Sequence, residues 1–150
     1  WAPSSYNNQS WRFIYAKKDT QYWDKLFGLM VDFNKSWTKN AAVLAVVVSK
    51  KSFDHNVKPS RTHSLDTGAA WENLAIEAAA RVLVAHGMEG FDYDKASKEL
   101  GVPDDYQVEA MIAIGKKGKQ EDLLPDLQKM EKPSDRRPLQ EIMMEGMFKR

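Results

Sequence analysis

The stretch from residue 64 to residue 86 constrains this chain more than any other, because alanine crowds it while its polar residues keep to one stripe. Asp66, Asn73, Glu77 and Arg81 line up at helical spacing, with Glu77 and Arg81 placed to pair at i,i+4. The rest of the circumference carries Ala69, Ala70, Ala75, Ala78, Ala79, Ala80 and Ala85. Small side chains on most faces let other backbones approach closely, so the pattern predicts a central, nearly enclosed helix. Ser64 is expected to cap its start, Asp66 to favour the first turn, and Gly87 to end it in the left-handed conformation. In a chain of 150 residues, burial on that scale suggests cover from a second subunit. A plain core helix is the alternative, and periodicity does not separate the two.

The remaining elements follow from local pattern. Residues 11–16 are aromatic and β-branched, as a short strand requires. Residues 21–30 place Trp23, Leu26, Phe27 and Met30 on one helical face. Residues 41–49 are continuously apolar, the signature of a strand covered on both faces. Residues 51–62 are polar, contain Pro59 and read as an exposed connection. A short helix over 92–100 closed by Gly101, a strand over 108–114 ended by Gly115, and a helix over 139–145 in a charged tail complete the pass. Helices outnumber strands and the two alternate loosely. One α+β or α/β domain over 1–150 is expected, with no internal repeat.

Composition narrows the function. With 22 basic and 21 acidic residues the net charge is +1, which argues against nucleic acid or an anionic membrane as the main partner. The absence of cysteine removes disulfides, thiolate catalysis and cysteine-held metal sites. The longest apolar run is too short to cross a bilayer, and no signal peptide is evident, so a cytoplasmic location is expected. The chain opens on Trp1-Ala2-Pro3 without methionine or lead-in and reads as lacking an N-terminal segment. It has no Gly-x-Ser-x-Gly elbow, P-loop or Gly-x-Gly-x-x-Gly. His55, His63 and His86 lack metal-ligand spacing and read as surface or helix-end residues. Asp104-Asp105 reads as a turn, and Lys116, Lys117 and Lys119 as a solvated loop.

Two constellations remain. Pro3-Ser4-Ser5-Tyr6-Asn7-Asn8-Gln9-Ser10-Trp11 packs hydroxyls and amides into one loop that opens a strand. Such groups donate and accept together, which suits the mixed edge of a flavin pyrimidine; a turn-rich loop anchored by two aromatics is the simpler reading. Gly87-Met88-Glu89-Gly90-Phe91 reads either as a helix-to-helix turn or as two glycines that let backbone N–H groups approach a flat ligand.

At these residues the chain resembles the nitroreductase-like FMN-dependent oxidoreductases. The resemblance runs through Pro3 to Trp11, Asp66-Thr67-Gly68-Ala69-Ala70, Glu72-Asn73-Leu74, Glu89 to Asp92, Ile114-Gly115 and Arg137-Pro138-Leu139, in the family's order. It implies a three-layer fold, a central mixed sheet surrounded by helices, in an intertwined homodimer. It implies FMN as cofactor, NAD(P)H as electron donor and a nitroaromatic, quinone or related small-molecule acceptor. Pro3, Ser4, Ser5 and Asn7 would then lie against the isoalloxazine across the dimer, and Asn34 near the pyrimidine edge. Met88, Glu89 and Gly90 would face N5, and Arg136 or Arg137 would bind the phosphate, whose paired oxygens suit a guanidinium fork. The cofactor carries the chemistry, so no catalytic side chain is named. The family's upstream Arg-Arg-Ser segment is not in this chain, and losing its charge-assisted contacts, about 1.5–3 kcal/mol each, is expected to weaken FMN binding. Ser10 replaces a common proline, and Leu83 a frequent small residue. A non-catalytic dimeric relative that has lost flavin is the rival class.

Overall fold

Val43–Lys50 forms β2, six of whose eight residues are buried, and the remaining strands assemble around it. In the computed structural model, which describes residues 1–148, β1 (Trp11–Lys17) pairs with β2, β2 with β4 (Tyr106–Gly115), and β4 with β3 (Val84–Met88). The order is β1-β2-β4-β3. All three pairings are antiparallel, so the mixed sheet expected from the resemblance appears here as an antiparallel one. Residues 1–119 form one compact unit and a second begins at Gln120.

Alternation divides the sheet into two faces. Ala16, Leu44, Val46, Val48, Met111 and Ala113 point into the larger core, together with Trp23, Leu26, Leu29, Phe91 and Ala96. These come from α1 (Trp23–Phe27), the segment after it, the residues leading into α4, and α4 itself (Tyr93–Glu99). Fully burying a Leu or Met side chain contributes about 1.5–3 kcal/mol, so this face supplies most of the packing energy. The other face presents Ala45, Val47 and Ile112 to Trp71 of α3 (His63–Ala80). Helices thus cover both faces, and the class is α+β. Among the described residues no helix is long and apolar enough to cross a membrane.

The expected helix over 64–86 is really a helix and a strand. α3 stops at Ala80, and Val84–Met88 pairs with β4, so Gly87 lies inside a strand rather than at a helix end. Val82 makes the break: its φ is 58°, while Val82 N–H bonds to Ala79 O at 3.0 Å and Leu83 N–H to Ala78 O at 2.8 Å. That is the Schellman pattern with valine where glycine is usual. The left-handed state costs a β-branched residue about 1–2 kcal/mol, and the new ladder outweighs it. Ser64 does not cap α3. Thr62 occupies the N-cap without a side-chain bond to the helix backbone, and the Ser64 hydroxyl donates to Glu109 instead. Nor is α3 enclosed within one chain, since Leu65 and Ile76 remain exposed.

α1 is shorter than residues 21–30, because Met30 leaves the helix to bridge with Phe91. Asp32–Thr38 then forms α2, which the sequence reading did not separate. α4 agrees with expectation: Asp92 accepts from Lys95 N–H at 2.9 Å, and Gly101 takes φ +64° after it. In the second unit, α5 (Pro125–Met130) has proline in its first turn, and α6 spans only Leu139–Ile142.

Replacing Val82 with glycine removes the left-handed strain at an exposed site and loses little burial. Net of glycine's greater unfolded-state freedom, the variant should gain about 0.5–1 kcal/mol. Thermal unfolding checks this, and an unchanged or lower Tm contradicts it.

Candidate functional site

Two open clefts flank α3, one toward each edge of the sheet. The first, about 390 Å³, is lined by Trp71 of α3, by Gly87, Met88 and Glu89 at the end of β3, and by Tyr93, Glu109 and Ala110. The second, about 380 Å³, lies beside β1 and is lined by Trp1, Ala2, Asn7, Gln9, Trp11, Phe13, Ala70 and Asn73.

The first cleft depends on a glycine. A Cβ on Gly87 would lie 3.2 Å from Trp71 Cζ2, so the bare backbone lets the indole lie against the strand. The chain then turns through Glu89 and Gly90 into α4. Gly90 is gripped from α2: its carbonyl accepts the Asn34 amide at 2.9 Å and Val31 N–H at 3.1 Å. A Cβ there would lie 2.6 Å from Asn34 Nδ2. Asn34 is buried, and its Oδ1 accepts the Trp37 indole N–H at 3.3 Å. The amide expected near a pyrimidine edge thus also fixes the Gly90 turn, using one of its two N–H groups.

The cleft is acidic. Burial first, and then the charges of Glu89 and Glu109, hold the Tyr93 hydroxyl above the ordinary phenol range. Neither lysine nor arginine lines this cleft.

The loop before β1 is pinned to the start of α3. Ser5 N–H donates to Asp66 Oδ2 at 3.0 Å, and the Ser10 hydroxyl donates to the His63 carbonyl at 3.1 Å. Gln9 N–H closes the loop on Ser4 Oγ at 3.1 Å. Tyr6, Asn7 and Gln9 all have positive φ, and Tyr6 packs edge-on against Phe53 with ring centroids 5.7 Å apart. Pro3, Ser4, Ser5 and Asn7 thus belong to one stiff turn. That turn borders the second cleft, while Met88 and Glu89 line the first. Within one chain the two groups do not meet in one cavity. Arg136 and Arg137 lie in the second unit and are exposed; Arg136 bonds to Ser134, and Arg137 pairs with Glu141 at 3.4 Å.

Sequence reading missed Trp71, Tyr93 and Glu109. A tryptophan in an alanine-rich helix and a carboxylate inside an apolar strand were the signals available. His63, read as a surface or helix-end residue, does begin α3, but its Nδ1 lies 2.7 Å from the buried Ser49 hydroxyl.

A sheet with helices on both faces, a cleft at the end of its edge strand and a glycine-bearing turn there define an α+β protein with an open cleft beside that turn. The model of the nitroreductase family matches residues 1–116, and the chain belongs to that family. It is similar to a crystal structure of an oxidoreductase containing FMN, at 43% identity and TM-score 0.94, covering 99% of this chain and 77% of that one. A Desulfovibrio desulfuricans protein solved in complex with FMN is 26% identical, with TM-score 0.70 over 99% of this chain and 79% of the other. The uncharacterized 15.4 kDa protein in the ask 5′ region of Mycolicibacterium smegmatis is 37% identical over 93 residues, 62% of this chain and 60% of that protein. The match thus spans less than two thirds of that relative's length.

Two measurements test the site geometry. The phenolate absorbance step lost in Tyr93→Phe should titrate above the ordinary tyrosine value, about 10, and Glu89→Gln should move it down. A folded-state pKa raised in this way means stability falls as pH rises from the unfolded tyrosine value, about 10, through the folded one. An unshifted Tyr93 step contradicts the acidic-cleft reading. Separately, Gly90→Ala should cost about 1–3 kcal/mol as the new methyl displaces Asn34. Denaturant unfolding measures it, and a neutral effect contradicts the described grip.

Proposed function

We propose that this chain is the core of a homodimeric FMN-dependent oxidoreductase that takes hydride from NAD(P)H and passes it to a nitroaromatic, quinone or related acceptor. One observation carries the reading: the Met88–Gly90 turn borders a cleft and is fixed from behind by Asn34 and Val31. The likeness to an FMN-containing oxidoreductase over nearly the whole chain supports it.

The residues present suit the isoalloxazine better than the phosphate. The glycine backbone at Gly87 and the Trp71 indole offer apolar and flat surface, and about 390 Å³ accommodates a ring system. The cleft's lining carries no cation; the family resemblance is what assigns the phosphate to Arg136 or Arg137. When bound, FMN supplies two-electron hydride chemistry at N5, and the protein's part is binding, orientation and local electrostatics. Asn34 and Val31 hold the Gly90 carbonyl, and with it the Glu89–Gly90 backbone that would face the ring. Pro3, Ser4, Ser5 and Asn7 would meet the ring from the second subunit. The separation of their loop from the Met88 cleft within one chain supports that arrangement, as do the exposed Leu65 and Ile76 on α3. Glu89 and Glu109 make the cleft unfavourable to anionic acceptors and favour neutral ones.

The test is the visible spectrum of the protein after incubation with FMN and desalting. Retained flavin bands, bleached anaerobically by NADH or NADPH, are expected. A folded dimer that retains no flavin overturns the reading and leaves the non-catalytic relative. Arg136→Ala with Arg137→Ala should weaken FMN binding by about tenfold or more, the loss expected for a charge-assisted contact, as read by flavin fluorescence quenching.

A further inference from the structure

Glu109 stands where a strand should be apolar, and a bulge explains its direction. Val47 pairs with Ala110 but Val48 pairs with Val108, leaving Glu109 as the extra residue on β4. A bulge of this kind re-aims a side chain. Here it turns the carboxylate toward the first turn of α3, although its immediate strand neighbours are apolar.

There Glu109 gathers donors from three elements. Its Oε1 accepts the hydroxyl of Ser49 in β2 and that of Ser64 in α3, the latter at 2.7 Å. Its Oε2 accepts the Gln107 amide at 3.2 Å. Since the buried Ser49 hydroxyl donates to Glu109, its oxygen is left to accept from His63 Nδ1–H at 2.7 Å. His63 Nδ1 itself lies 3.7 Å from the carboxylate, with both side chains mostly covered. One carboxylate therefore clamps two consecutive residues of α3, His63 and Ser64, onto β2 and β4.

The same helical turn holds the loop before β1. The His63 carbonyl accepts the Ser10 hydroxyl, and the Asp66 carboxylate accepts Ser5 N–H and the Thr62 hydroxyl. The loop hangs from the turn at both of its ends, and the turn hangs from Glu109. We propose that Glu109 is a positioning residue for the Ser4–Ser10 loop, acting through His63 and Ser64. On the flavin reading above, which this inference deepens, Glu109 preorganises the ring-edge contacts one subunit offers the other. Preorganisation of this kind enters affinity by lowering the ordering cost of binding.

The test is amide hydrogen exchange on the protein without added flavin, comparing wild type with Glu109→Ala, Glu109→Gln and Ser64→Ala. Ser5 and Gln9 amides should exchange about tenfold faster in Glu109→Ala, since 1.4 kcal/mol corresponds to a factor of ten. The β2 core amides, such as Val46, should change less. Glu109→Gln keeps an acceptor oxygen and should restore part of the protection. Ser64→Ala, at an exposed residue that leaves the core intact, should accelerate the same two amides by a smaller factor, and it keeps the test decisive if Glu109→Ala does not fold. Loop amides that change no more than the β2 amides, in either serine or glutamate variants, overturn the proposal. Flavin retention is then read on the same proteins. Wild type without flavin overturns the oxidoreductase reading alone, while the exchange data still decide the role of Glu109.

Discussion

The capture of Val84–Met88 by the free edge of β4 is the constraint on which the rest of this structure depends. It takes five residues from what local propensity would make a longer helix and commits them to a ladder. Because that strand must run back along the sheet, α3 has to end within the few residues before it. Val82 accepts a left-handed backbone to make the turn. The local cost is about 1–2 kcal/mol, while the gain is a set of strand hydrogen bonds and the burial of Met88 against the main core. Tertiary pairing overrides helix propensity because propensity differences per residue are small beside that sum.

The same pairing builds the cleft. Strand alternation sends Met88 toward the larger core and Gly87 toward α3, where the missing Cβ lets Trp71 lie against the backbone. The chain emerges from the ladder at Glu89 and is caught again at Gly90 by Asn34 and Val31. The turn between strand and helix is thus held on both sides. On the proposed flavin reading, a backbone fixed in this way would present itself to a flat ligand without ordering first.

A second line of organisation runs from Glu109 through the first turn of α3 to the loop before β1. Its members are polar, yet Ser10, Ser49, Asp66 and Thr67 are buried, and each bonds to a group distant along the chain. Buried polar networks are costly unless satisfied, so this one fixes a particular seating of helix on sheet rather than adding generic stability. It also explains why the loop tolerates positive φ at Tyr6, Asn7 and Gln9: its ends are tied to a rigid turn.

The sequence by itself determined the parts governed by local rules. The continuous apolar run made β2 a covered strand, and Asp92 and Gly101 bounded α4 through capping and left-handed preference. The order of motifs along the chain was enough to indicate the nitroreductase family, and the loop and turn that carry those motifs could be named. What it could not give was any property fixed by partners distant along the chain. Alanine-rich sequence is compatible with more helix than the fold uses, so the end of α3 was decided by an edge strand of β4 about thirty residues away. Asn34 could be named as a candidate contact, but nothing local showed that Gly90, across the turn, takes one of its amide protons. Glu109 is aimed at His63 and Ser64 by a bulge that shows only in strand register. In each case local sequence set what a residue can do. Long-range pairing set which of those options has a partner, and an unsatisfied buried group costs too much for the choice to remain open.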